Sequence, residues 1–177
     1  NRQTREVAEE RLWDIMVHNI QAYHHLIAYV GSLPNELRMV RLGSDCLPVY
    51  TQHEWSYFWR KPDVVAYCEK YFAVVGEAAR ALNVRLSMHP GQFTDRSVEE
   101  FEYHTDVIRW MGYGRTFQDF KCNVHISGRQ GPAGIKHAVN NRLSPEARNV
   151  ITIENDENKW GIEHRLELVD TCALVLD

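Results

Sequence analysis

Apolar positions along the chain alternate between two spacings. From Arg5 to Val30, the residues Val7, Leu12, Ile15, Met16, Ile20, Leu26 and Ile27 recur near the helical period of about 3.6, which predicts an amphipathic helix. The run Met39-Val40-Arg41-Leu42 then reads as a short strand. A second helix is predicted from Asp63 to Leu82, opened by Pro62 and stopped near Asn83, and leads into the apolar run Val84 to Met88. Ser97 and Glu100 have capping-box spacing and open a third helix to about Met111, with Gly112 and Gly114 as its stop. Phe120 to Ile126 is the next strand. A helix over Pro132 to Asn141 and a further short helix begun by Ser144-Pro145-Glu146 precede the strand Val150 to Ile153. A last helix over Ile162 to Thr171 leads to Ala173-Leu174-Val175-Leu176. Five strands, each followed or preceded by a helix, predict α/β architecture with a parallel sheet and right-handed crossovers, either doubly wound or part of a (β/α)8 barrel.

Composition adds limits rather than a function. The chain has 177 residues, of which 44% are hydrophobic and 25% charged, enough for one domain with a real core and without an internal linker. No window is apolar for long enough to span a membrane, and the first twenty residues are too charged for a secretory signal, so a soluble intracellular protein is expected. Both ends read as cuts through a longer protein. A net charge of −4 argues against a nucleic-acid binder that works by bulk positive charge, though not against one with a local metal-rich face. The four cysteines, Cys46, Cys68, Cys122 and Cys172, form no close pair and are expected to be reduced, buried thiols.

Metal-capable residues recur at the ends of the predicted strands. His89, His125, Glu154 and Asp177 each end or follow a strand, and His53 lies in the loop after the first; the successive spacings are 36, 36, 29 and 23 residues, each about one βα repeat. In a parallel barrel all five converge on the face that carries active sites. Imidazole nitrogen with carboxylate oxygen suits zinc, manganese or iron. A lone strand-end histidine serves structure more often than chemistry; five in equivalent places make a shared site the sharper reading, and spacing alone leaves both open. The other histidines, His18, His24, His25, His104, His137 and His164, fall in helices and are assigned no chemistry.

The segment His89-Pro90-Gly91-Gln92-Phe93-Thr94 is the second concentration of signal. Pro90 and Gly91 predict a tight turn that projects Gln92 and Phe93 away from the sheet. An amide beside an exposed ring is suited to wedging into a base stack; the alternative is a Phe93 that caps the core beside a solvated Gln92. Asn155 and Asp156, after Glu154, can orient ligands or serve as ordinary loop and cap residues.

Taken in order, Arg41 to Pro48 with His53, Arg85 to Phe93 (RLSMHPGQF), Val124-His125-Ile126-Ser127-Gly128, Glu154-Asn155-Asp156-Glu157 and Val175-Leu176-Asp177 resemble the UV damage endonuclease family. The resemblance implies a (β/α)8 TIM barrel related to endonuclease IV, holding up to three divalent ions, manganese favoured and zinc or magnesium allowed. It implies nicking of damaged double-stranded DNA immediately 5′ to cyclobutane pyrimidine dimers and 6-4 photoproducts. His53, His89, His125, Glu154 and Asp177 match metal ligands, with Glu154 as bridging carboxylate and Glu154 and His89 at the catalytic centre. Gln92 matches a residue that probes the lesion, and Phe93 its aromatic partner, usually Tyr in the family. The family's first strand and everything after its sixth have no counterpart here, so the expectation is a single partial barrel domain over residues 1–177. Rival readings are another barrel of the same superfamily, an abasic-site endonuclease or sugar isomerase, or a non-catalytic remnant that binds metal or DNA.

Overall fold

The computed structural model describes residues 4–93, 97–155 and 159–175. The backbone forms two compact units, Asn1–Arg85 with Trp110–Gly112, and Leu86–Arg109 with Tyr113–Asp177.

The first unit is built on two long helices, α1 (Arg5–Gly31) and α2 (Pro62–Ala81), with the short strand β1 (Met39–Leu42) between them in the chain. Thr4 caps α1, its hydroxyl accepting from the Val7 N–H, and Pro62 opens α2, where a missing N–H leaves nothing unpaired. Buried Met16, Ile20, Tyr23, Ile27 and Val30 on α1 meet Val64, Cys68, Phe72, Val75 and Ala79 on α2, both stripes at helical spacing. The buried Cys68 thiol donates to Met16 Sδ at 3.4 Å, and burial pushes its pKa up to about 12. All four cysteines are free thiols, as expected, with Cys46, Cys68 and Cys122 buried and Cys172 half-buried rather than buried.

Gly76 lets α2 pass the chain at Met111 without a gap: a Cβ there would collide with the Met111 carbonyl oxygen. In an ordinary helix Gly→Ala stabilises by roughly 0.5–1 kcal/mol. Here the sign reverses, because the obstacle is backbone; Gly76→Ala is expected to destabilise the chain by about 1–3 kcal/mol, read as a drop of several degrees in Tm.

The second unit carries β2 (Arg85–Phe93, from Leu86 on), α3 (Val98–Trp110), β3 (Lys121–Ile126), α4 (Gly131–Asn141), α5 (Pro145–Val150), β4 (Ile151–Glu154), α6 (Ile162–Leu166) and β5 (Ala173–Val175). Strands β2 to β5 are parallel and lie side by side in chain order. A doubly wound sheet reverses its order at a switch point; this one does not, and the unreversed order is that of a barrel segment. The expected α/β class with an open parallel sheet is therefore what the chain forms.

Cross-strand register sorts the side chains onto two faces. Cys122 pairs with Ile151 and Val124 with Ile153, and these buried residues form the face on which α4 packs. Asn123 pairs with Thr152 and His125 with Glu154, placing a polar set on the opposite face. Ser144 caps α5 by accepting from the Ala147 N–H at 3.2 Å, and its own hydroxyl donates to Glu102 at 2.8 Å.

Two expectations need correction. The last helix is shorter than predicted, ending at Leu166 rather than Thr171, with residues 167–171 as turn. The tight turn at Pro90-Gly91 is not formed: β2 runs on to Phe93, and the register shifts between Met88 and Gly91, so that His89 and Pro90 together oppose Asn123. Proline lacks the N–H a regular ladder needs at that point, and a bulge removes the need.

Candidate metal centre

Three of the five predicted ligands meet on adjacent strands, His125 and Glu154 at or next to the C-terminal ends of β3 and β4 and His89 midway along β2. His89 on β2, His125 on β3 and Glu154 at the end of β4 bring one ligand atom each to within 4.8 Å of one another. His89 Nε2 is hydrogen-bonded to Glu154 Oε1, and His125 Nε2 lies 3.0 Å from the same oxygen. The two imidazole rings are 4.9 Å apart between centroids. Glu154 is buried, its two histidines half-buried.

The orientation of His125 is set from behind. Its Nδ1 is 3.1 Å from the backbone carbonyl of Asn155. A carbonyl only accepts, so Nδ1 is the donor in this bond and Nε2 is the nitrogen turned to the cluster, with its lone pair when the ring carries a single proton. That lone pair faces a carboxylate oxygen, and two electron-rich atoms at this distance require a cation between or beside them. A proton on the ring meets that need, and so does a divalent metal ion. Nitrogen and carboxylate donors together fit zinc, manganese or iron, so the residues present are suited to such an ion.

The bulge in β2 also decides the surroundings. It shifts the alternation by one residue, so that position 92 stands level with His125 and Phe93 with Ile126. Phe93 is 1% exposed, and its ring meets Phe101 of α3 edge to face at 5.3 Å. The structure thus places Phe93 as a core residue, the second of the two readings weighed from sequence; entering a base stack would require it to leave this packing. The Gln92 side chain lies outside the described atoms, as do Thr94, Asp156, Glu157 and the predicted ligand Asp177. His53 belongs to the first unit, on an exposed turn where its carbonyl accepts from the Ser56 hydroxyl at 3.4 Å.

Other polar features had no signal in the sequence. After β3 the chain turns through Gly128, at positive φ, where Trp160 Nε1 donates to the Gly128 carbonyl at 3.1 Å and the Trp160 ring fills the space a Cβ on Gly131 would need. This fixes the loop that follows His125. Arg165 of α6 is buried and donates through Nη1 to the Val175 carbonyl at the end of β5. The Asn123 and Asn155 side-chain oxygens are buried without a hydrogen-bond partner among the described residues.

Parallel strands in unreversed order, with two imidazoles and a carboxylate from three neighbouring strands gathered together, define an α/β protein with a candidate divalent-metal centre. A family model described as UV-endonuclease UvdE matches residues 1–177, and the chain belongs to that family. Among its relatives, a UV-damage endonuclease of Schizosaccharomyces pombe is 24% identical over 160 residues, covering 80% of this chain and 25% of that protein. A UV DNA damage endonuclease of Bacillus mycoides is 22% identical over 174 residues, covering 90% of this chain and 52% of the relative. Another, from a Nostoc species, is 23% identical over 174 residues, covering 93% and 51%. The chain thus spans between a quarter and about half the length of these relatives. Among the described residues no helix is long and apolar enough to cross a membrane.

Proposed function

We propose that this chain carries part of the active face of a metal-dependent DNA repair endonuclease that nicks damaged duplex DNA 5′ to cyclobutane pyrimidine dimers and 6-4 photoproducts. The observation that carries the reading is the convergence of His89, His125 and Glu154 from three neighbouring parallel strands. The names of the relatives support it.

In this reading His89, His125 and Glu154 hold a divalent ion, manganese by preference, with His53 and Asp177 as further ligands and up to three ions in the complete site. A bound ion supplies Lewis-acid chemistry, offsetting charge on phosphodiester oxygens and acidifying water at neutral pH. The chain's own residues do the positioning. Asn155 holds His125 in the tautomer that offers Nε2, and Glu154, between two imidazoles, keeps its carboxylate directed at the same point. A cationic centre also answers the overall acidity of the chain, since it makes one face attractive to phosphate where the sequence as a whole is not. Gln92 is the lesion-probing residue of this reading, and Phe93 supports it from within the core. Damage is selected by deformability, because a crosslinked dimer is already poorly stacked and costs less to displace. Such an enzyme works where DNA is, in the cytoplasm or nucleoid, or in the nucleus of a eukaryote.

The test is a nicking assay on a duplex with one defined cyclobutane dimer, in manganese, against an undamaged duplex and the His89→Ala variant. Cleavage only 5′ to the dimer, lost in the variant, is the expected result. Cleavage at abasic sites but not at dimers would assign the chain to the neighbouring endonuclease chemistry instead, and metal binding without any cleavage would leave a binding remnant.

A further inference from the structure

Two residues that neighbour members of the cluster along the chain, Asn155 and Asn123, carry carboxamide oxygens with no donor among the described residues. Asn155 directly follows Glu154, and its Oδ1 is buried without a hydrogen-bond partner, while its backbone carbonyl already serves His125. Asn123 precedes His125 by two residues on the same face of β3, about 7 Å along the strand at the usual rise, and its Oδ1 is also buried and unpartnered. A folded protein rarely leaves such acceptors empty, because burying one without a donor is unfavourable. Both orphans are of one kind: oxygens that accept. Both flank residues of the His89, His125 and Glu154 cluster.

We propose that Asn155 is a positioning residue for a hydrated divalent cation at this cluster, its Oδ1 accepting a hydrogen bond from water that the cation carries, with Asn123 Oδ1 as a second acceptor of the same kind. The inference rests on the metal reading given above and goes beyond it, from the atoms that touch the ion to those that hold its water. Water on a cation is a strengthened donor and a poor acceptor, so it matches acceptor-only neighbours. Three protein ligands leave coordination positions that water fills, and manganese and magnesium in particular retain water when bound. Asn155 then performs two tasks from one residue: its main chain orients the imidazole, and its side chain orients the hydration shell. Partners of this sort change metal affinity by 10- to 100-fold in other sites.

Asn155→Leu separates this from a structural role, because it keeps the side-chain volume and removes the orphaned acceptor. A buried acceptor without a function is replaced by an apolar group at little loss or with a gain. The experiment measures manganese(II) binding by the electron paramagnetic resonance signal of the free ion, and Tm with and without the ion, for the full chain, Asn155→Leu, Asn155→Asp and His89→Ala. The expected result for Asn155→Leu is an unchanged or raised Tm without metal, about tenfold weaker manganese binding, and a smaller metal-induced rise in Tm. Asn155→Asp, which keeps an accepting oxygen, restores binding. Manganese binding in Asn155→Leu equal to that of the unaltered chain, but lost in His89→Ala, would overturn the inference and leave the metal centre standing. No manganese binding by the unaltered chain would overturn both.

Discussion

Glu154→Ala is expected to abolish divalent-cation binding, with affinity falling by more than the roughly 100-fold that marks loss of a merely supporting residue. Glu154 Oε1 is the one atom that both histidines approach, so its removal leaves two imidazoles with no common partner. It is also the only carboxylate in the cluster among the described residues. In the unaltered chain, manganese at 100 times its dissociation constant stabilises the folded state by about 2.7 kcal/mol, a rise in Tm on the order of 5–10 °C. Glu154→Ala should show no such rise. Scanning calorimetry with and without manganese checks this directly, and an undiminished shift in the variant would remove Glu154 from the site.

Phe93→Ala is expected to cost about 3–5 kcal/mol of stability, the range for deleting a large buried ring whose space does not refill. The ring is enclosed and packs on Phe101, so the loss is felt whether or not DNA is present. At 2–4 °C per kcal/mol the fall in Tm is on the order of 10 °C, measurable in a thermal melt of the chain alone. Phe93→Leu, which keeps most of the volume, should lose far less. A Phe93→Ala variant that melts like the unaltered chain yet binds damaged duplex more weakly would instead show a ring that works on DNA.

The order of elements was legible because each depends on local pattern. The stripe Met16, Ile20, Tyr23, Ile27 and Val30 repeats at helical spacing and forms one face of α1. Pro62, Ser144, Gly112 and Gly114 stand at element boundaries because of what each does to the backbone within a residue or two, and both glycines take positive φ. The final helix was overextended because nothing in Glu167 to Thr171 forbids a helix; turn geometry there depends on packing.

The sequence by itself determined the α/β class, and βα-length spacing marked five candidates for a shared face; which of them meet was left to the structure, which brings together His89, His125 and Glu154 on neighbouring parallel strands. Only the tertiary structure decided what that face looks like in detail. The bulge at His89 and Pro90 arises from pairing with β3, a strand some thirty residues away, and pairing is invisible in β2 alone. Yet that one extra residue sends Phe93 into the core instead of along the face of His89, because side-chain direction in a strand has a period of two and a shift of one reverses it. The bond from His125 to the Asn155 carbonyl, and the buried amide oxygens beside it, likewise belong to no local pattern: they depend on which backbone groups two neighbouring strands leave within reach.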